Sequence, residues 1–220
     1  MFTSLEGIDR SGKTTQAAML AGALGPETLL VREPGGTEAG ERIRDLLKDA
    51  ELELGPGAEL MLFCAARAEL AARVIGPARA AGRDVVCDRY LDSTAAYQGA
   101  AIGELHVDSP DFEGRSAREI GIELIERLNA LVVADCVPDL TILVRVDPDD
   151  AAARGQQRLA SGAADGADRF EARGIGFQRE VAEAYDELAR RHPERIAIVD
   201  GTGAPADVHA RVIGLVGARR

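Results

Sequence analysis

The chain has 220 residues, the length of one domain, with 46% hydrophobic residues for a core and a net charge of −11. That charge leaves no basic stripe for nucleic acid, and no apolar run approaches the roughly 18–20 residues of a membrane helix. Strand-like sequence begins at once and a glycine-rich loop starts at Gly7, so no signal peptide is expected.

Met1 to Leu5 is a short apolar run suited to a buried first strand. Gly7-Ile8-Asp9-Arg10-Ser11-Gly12-Lys13-Thr14 follows, a complete G-x-x-x-x-G-K-[ST] phosphate loop, and Thr15 to Leu24 has a helical pattern. In that setting backbone N–H groups turn inward around phosphates, and the helix N-terminus adds partial positive charge. Lys13 reaches the outer phosphates of ATP, and the Thr14 hydroxyl is placed to ligate Mg²⁺. Lys13 is one of only two lysines in the chain. Asp9 is the unusual member of the loop: a carboxylate facing phosphates would be repelled. It is expected to face the acceptor instead, with Arg10 offsetting its charge, or simply to pair with Arg10.

Further short apolar runs at Thr28–Glu33, Asp84–Asp88, Leu140–Val146 and Arg195–Asp200 join Phe2–Glu6 as five strands covered on both faces. Helical spacing covers Glu38–Asp49, Ala58–Ala81 with a kink or break near Pro77, Ala117–Val133 and Gln178–Arg191. Asp147-Pro148-Asp149-Asp150 has the proline and acids of a helix start. Alternating β and α after a phosphate loop predicts an α/β fold: a five-stranded parallel sheet flanked by helices, one domain over residues 1–220. Ala100–Arg115 is expected to be an irregular insertion. Ser161–Gly166 is a small-residue loop flanked by arginines, read as a short lid over about 154–173 or as a plain surface loop. Cys64, Cys87 and Cys136, widely spaced in apolar surroundings, fit reduced core thiols of a cytoplasmic protein. His106, His192 and His209 show no ligand spacing and are expected at the surface.

Three segments carry chemistry beyond the loop. Arg32-Glu33-Pro34-Gly35-Gly36-Thr37 lies at the end of the second strand, where open α/β sheets bind ligands. Arg32, at the edge of the core, needs an anionic partner, either a substrate phosphate or a nearby carboxylate. Asp88-Arg89-Tyr90 ends the third strand, with Asp88 placed to hold Mg²⁺ or its waters and Arg89 to meet a second phosphate. Phe63 and Arg67, four apart on one helix, share a face. Together they suit a base, stacked and bonded at its edge; alone, Phe63 reads as core.

These segments, with Leu62-Phe63-Cys64-Ala65-Ala66-Arg67, Ser93-Thr94-Ala95-Ala96-Tyr97-Gln98-Gly99 and Pro138-Asp139-Leu140-Thr141, resemble the thymidylate kinases from residue 2 to about residue 200. The resemblance implies transfer of the γ-phosphoryl of ATP to dTMP. It places Phe63 on thymine, Arg67 on its edge, Arg32 and Arg89 on the acceptor phosphate, Tyr97 against the sugar and Gln98 near the base. Thr94 belongs to the same substrate-binding segment, and Asp9 meets the 3′-hydroxyl. It also implies a homodimer. Arg10 in the loop, Arg154 and Arg158 before the lid and Arg169 after it all compete to meet the transferring phosphoryl. A kinase for another deoxynucleotide or a deoxynucleoside, or a non-catalytic nucleotide switch, are the alternatives. Two phosphate-end arginines and the lack of an Asn-Lys-x-Asp motif weigh against them.

Overall fold

The computed structural model describes residues 1–160 and 173–219, without the side chains of Arg158 and Leu159. Five parallel strands, β1 (Phe2–Glu6), β2 (Leu29–Arg32), β3 (Val85–Asp88), β4 (Leu140–Arg145) and β5 (Ile196–Asp200), lie in the order β2-β3-β1-β4-β5. The three central strands are buried along almost their whole length because helices cover both their faces, and in β1 that burial includes the polar Thr3, Ser4 and Glu6. The two outer strands differ from expectation: β2 has no fully buried position and β5 buries only Ile196 and Val199, since each lies at an edge of the sheet.

Alternation along β1 sorts the molecule into layers. Leu5 packs with Val86, Ile142 and Val144 against α1 (Lys13–Leu24) and α9 (Pro205–Gly217). Phe2, Ser4 and Glu6 face the other side, beneath α3 (Pro56–Leu70), α5 (Leu91–Glu104), α6 (Ala117–Val133) and α8 (Gly174–Arg191). α2 (Glu38–Lys48) packs on α3 beside β2. It starts at Thr37, whose hydroxyl accepts from Gly40 N at 2.9 Å, with Glu38 and Glu41 in its first turn and Lys48 in its last. α6 opens with a Ser116/Glu119 capping box. α7 (Pro148–Ala160) begins at the proline-and-acid signal that predicts it.

The long helix is widened rather than broken. Between α3 and α4 (Gly76–Ala80), residues Ala71–Ile75 form a π turn, and Gly76 N–H reaches back to Ala71 O. Pro77 then sits in the first turn of α4, where its missing N–H costs nothing. Residues 100–104, expected to be irregular, continue α5. That helix escapes periodicity because nearly every position is buried, so no polar face marks it. α9 was equally outside the predicted helices, although Val208, Val212 and Val216 are spaced by four along its buried face. Cys64 and Cys87 are buried free thiols, while Cys136 is only partly buried. His106 is exposed as expected, but His192 and His209 are half-buried, and His192 Nε2 lies 2.6 Å from Glu126 Oε1.

Candidate active site

Register brings the site together. Leu5 and Arg32 both lie opposite Asp88, so the carboxyl ends of β1, β2 and β3 converge on one point. Gly12 caps α1 at φ 97°, and a Cβ on Gly7 would stand 2.6 Å from Val144 O, so both loop glycines are required by geometry. A cavity of about 650 Å³ opens there. It is lined by the phosphate loop, by Phe63 and Arg67 of α3, by Arg89, by Thr94, Tyr97 and Gln98 of α5, and by Arg154 and Gln157 of α7.

Lys13 is buried, and its Nζ donates to Ile8 O at 3.1 Å. Burial and the nearby Arg89 charge push its pKa down to about 8, with Asp9, Asp88 and Glu6 opposing them. Thr14 Oγ1 donates to Asp88 Oδ2 at 2.6 Å, while Asp88 Oδ1 is buried without a hydrogen-bond partner.

Asp9 turns away from Arg10, contrary to the simple ion pair. Its carboxylate pairs with Arg89 Nη2 and accepts from Tyr97 OH at 3.0 Å and Gln178 Nε2 at 2.8 Å. Gln178 also accepts from Asp9 N at 3.1 Å, so one amide side chain of α8 grips both parts of Asp9. Burial alone would raise the Asp9 carboxyl, but Arg89, Lys13 and these donors outweigh it and leave the pKa lowered. Arg89 has φ 68° and also reaches Gly7 O and Ser93 Oγ, both at 3.1 Å, with its guanidinium over the Tyr97 ring. Ser93 and Tyr185 hydroxyls in turn donate to Glu6, whose buried carboxyl is raised by desolvation and by Asp92.

Arg67 is 1% exposed and held on four sides. It donates to Glu33 Oε2 at 2.9 Å, Asn129 Oδ1 at 2.8 Å, Tyr90 O at 3.2 Å and Thr94 Oγ1 at 2.6 Å. Such a fork is a preorganised donor, fixed before any ligand arrives. Burial raises Glu33 to about 7 despite Arg67, and Glu33 Oε1 has no partner. Arg32 departs from expectation: it is exposed rather than at the core edge, and it pairs with Glu41 at 2.8 Å. The Pro-Gly-Gly turn is a backbone device, since a Cβ on Gly35 would stand 2.6 Å from Glu41 Oε1. Gln98 donates to Glu59 Oε1 at 2.9 Å, and Arg173 pairs with Glu59 from the far side.

Arg154 donates to Ser11 O at 3.2 Å and Gly201 O at 2.9 Å, so it clamps α7 onto the phosphate loop. The Arg158 side chain, Arg169 and most of the expected lid lie outside the described residues. Sequence reading missed Arg44, Lys48 and Gln157 on the cavity wall, and Glu33 and Gln178 in its support. Their only sequence signal was proximity to a motif or to the lid.

The thymidylate kinase family model matches residues 5–110 and 112–212. The chain belongs to the thymidylate kinase family. It is 39% identical to the thymidylate kinase of Desulfosudis oleivorans over 97% of this chain and 94% of that protein. It is 41% identical to that of Dinoroseobacter shibae, over 96% of this chain and 93% of that one. The crystal structure of thymidylate kinase from Ehrlichia chaffeensis superposes with a TM-score of 0.69 at 31% identity, covering 98% of both chains. Among the described residues no helix is long and apolar enough to cross a membrane.

Proposed function

We propose that this protein transfers the γ-phosphoryl group of ATP to dTMP, giving dTDP and ADP. The observation that carries the reading is one cavity joining a phosphate loop to a ring and a fully buried guanidinium on α3. ATP phosphates lie in the loop Gly7–Thr14, against Lys13. Asp88 and Thr14 fit a Mg²⁺ site: their oxygens are 2.6 Å apart, and the second Asp88 oxygen is buried with no partner among the described residues. When bound, the ion neutralises charge on the β- and γ-phosphate oxygens. Such ions need few protein ligands because phosphates and waters complete the shell.

Arg89 and Arg32 hold the acceptor phosphate, Arg32 by exchanging Glu41 for it. Phe63 stacks on thymine, Arg67 bonds its edge from its fixed seat, and Gln98 lies near it. Tyr97 packs against the sugar where a 2′-hydroxyl would stand, Thr94 holds Arg67, and Asp9 accepts from the 3′-hydroxyl. The acceptor is already an anion, so the chain's task is positioning and charge neutralisation rather than proton abstraction. Arg10, Arg154 and Arg158 are the arginines that serve the transferring phosphoryl, and a lid over about 154–173 excludes water so that ATP is not hydrolysed. The protein acts as one domain, as a homodimer in the cytoplasm.

An ATP-dependent assay across dTMP, dUMP, dCMP, dGMP, UMP and thymidine tests the reading. Preferred turnover of dTMP is expected. Preference for unphosphorylated thymidine, or ATP hydrolysis indifferent to dTMP, would overturn it.

A further inference from the structure

Gly155 lies in the interior of α7, where glycine weakens a helix relative to alanine. It is buried, so it is not a solvent-facing accident. A Cβ built on it would stand within 2.5 Å of the Nη1, Cζ and Nε atoms of Arg10. The Arg10 guanidinium therefore rests on the bare backbone of α7, in space that any other side chain would fill. Arg10 itself has φ 64°, a left-handed conformation that aims its side chain off the phosphate loop toward this seat. The neighbouring residue closes the arrangement from the other direction. Arg154 bonds Ser11 O and Gly201 O, which pins α7 against the loop at the level of Gly155.

We propose that Gly155 is a positioning residue for Arg10, its missing side chain providing the seat that holds the guanidinium at the phosphate end of the cavity. This rests on the kinase reading above and deepens it by separating two arginines. Arg154 is committed to two backbone carbonyls and serves as the clamp. Arg10 is the arginine whose guanidinium α7 leaves room for, and it meets the transferring phosphoryl. The strongest clash of an added Cβ falls on the far end of a flexible side chain, not on backbone. Gly155→Ala therefore displaces Arg10 without breaking the fold.

The test is a cycle of Gly155→Ala, Arg10→Ala and the double variant, read by single-turnover rate, KM for dTMP and thermal unfolding. Arg10→Ala is expected to slow phosphoryl transfer by about 10³-fold, as for arginines on a transferring phosphoryl. Gly155→Ala is expected to slow it at least tenfold, with KM for dTMP unchanged. Its unfolding temperature stays level or rises by about 2–4 °C, the gain of alanine over glycine in a helix. In the Arg10→Ala background the same substitution should change the rate less than twofold, because there is no guanidinium left to displace. If Gly155→Ala unfolds the protein, the double variant decides: recovery of stability upholds the contact with Arg10, and failure to recover overturns it. A wild-type rate for Gly155→Ala beside a crippled Arg10→Ala sinks this inference and leaves the kinase reading standing. So does an equal loss in both backgrounds. Absence of dTMP-dependent transfer in the unaltered protein sinks the kinase reading itself.

Discussion

Lys13 shows how one side chain answers to its surroundings. Among the described residues its ammonium makes one hydrogen bond, to Ile8 O, so its charge is held for a ligand rather than for the core. Lys13→Ala is expected to abolish turnover with unchanged circular dichroism; near-wild-type activity would remove the phosphate loop from the mechanism. Its lowered pKa, about 8, gives a second test. Phosphates favour the charged amine, so ATP binding raises this pKa and takes up a proton wherever the free amine is partly neutral. Calorimetry in buffers of different ionisation enthalpy should show uptake at about pH 8.5 and little near pH 7, with ATP affinity falling as pH rises past about 8. Proton release at the higher pH would contradict it. Arg89 carries two duties, since it pairs with Asp9 and faces the cavity. Arg89→Ala should raise KM for dTMP and lower kcat, each by tenfold or more (about 1.4 kcal/mol each). It should also cost about 2–3 kcal/mol of stability by stranding the Asp9 carboxylate. Unchanged kinetics with lost stability would make Arg89 an ion-pair partner alone.

At the scale of elements, α5 carries Ser93, Thr94, Tyr97 and Gln98, and its position is set by α6. The two helices meet backbone to backbone. A Cβ on Gly121 would overlap Gly99 O, and one on Gly103 would overlap Ala117 O. Here the obstacle is main chain, which cannot swing aside as Arg10 can. Gly121→Ala is therefore expected to destabilise the protein by about 1–3 kcal/mol through overpacking, despite the better helix propensity of alanine. A lower urea midpoint and a raised KM for dTMP would register the shift of α5. An unchanged or higher midpoint would show that the helices do not cross this closely. α8 ties the far side of the site down through Gln178 on Asp9 and through Phe177, edge-on to the Tyr97 ring at 5.8 Å.

Over the whole molecule, charge is sorted rather than spread. In a chain of net charge −11, the cavity wall carries Arg10, Lys13, Arg32, Arg44, Lys48, Arg67, Arg89 and Arg154 against Asp9, Glu33 and Asp88. Both lysines of the chain stand there. A cavity so lined should distinguish a nucleotide from its nucleoside by charge. At about a hundred times its Kd, dTMP should stabilise the fold by about 2.7 kcal/mol, or roughly 5–10 °C in Tm, while thymidine at that concentration shifts it far less. Equal shifts would mean that the base alone drives binding. By itself the sequence determined the five strands, the phosphate loop and the helix starts at Thr37 and Pro148, because these rest on local chemistry: apolar runs, glycine conformations and caps. It also determined which motifs gather off the strand ends. Only the tertiary structure decided the partners. Asp9 lies two residues from Gly7 and one from Arg10, yet it pairs with Arg89 and Gln178, 80 and 169 residues away. Arg32 was expected at the edge of the core and is exposed, paired with Glu41, because β2 is an edge strand. A buried α5 hides its period, and the seat on Gly155 is a space that the Arg10 guanidinium fills. Spacing along a chain carries no sign of either, since both depend on what another element brings alongside.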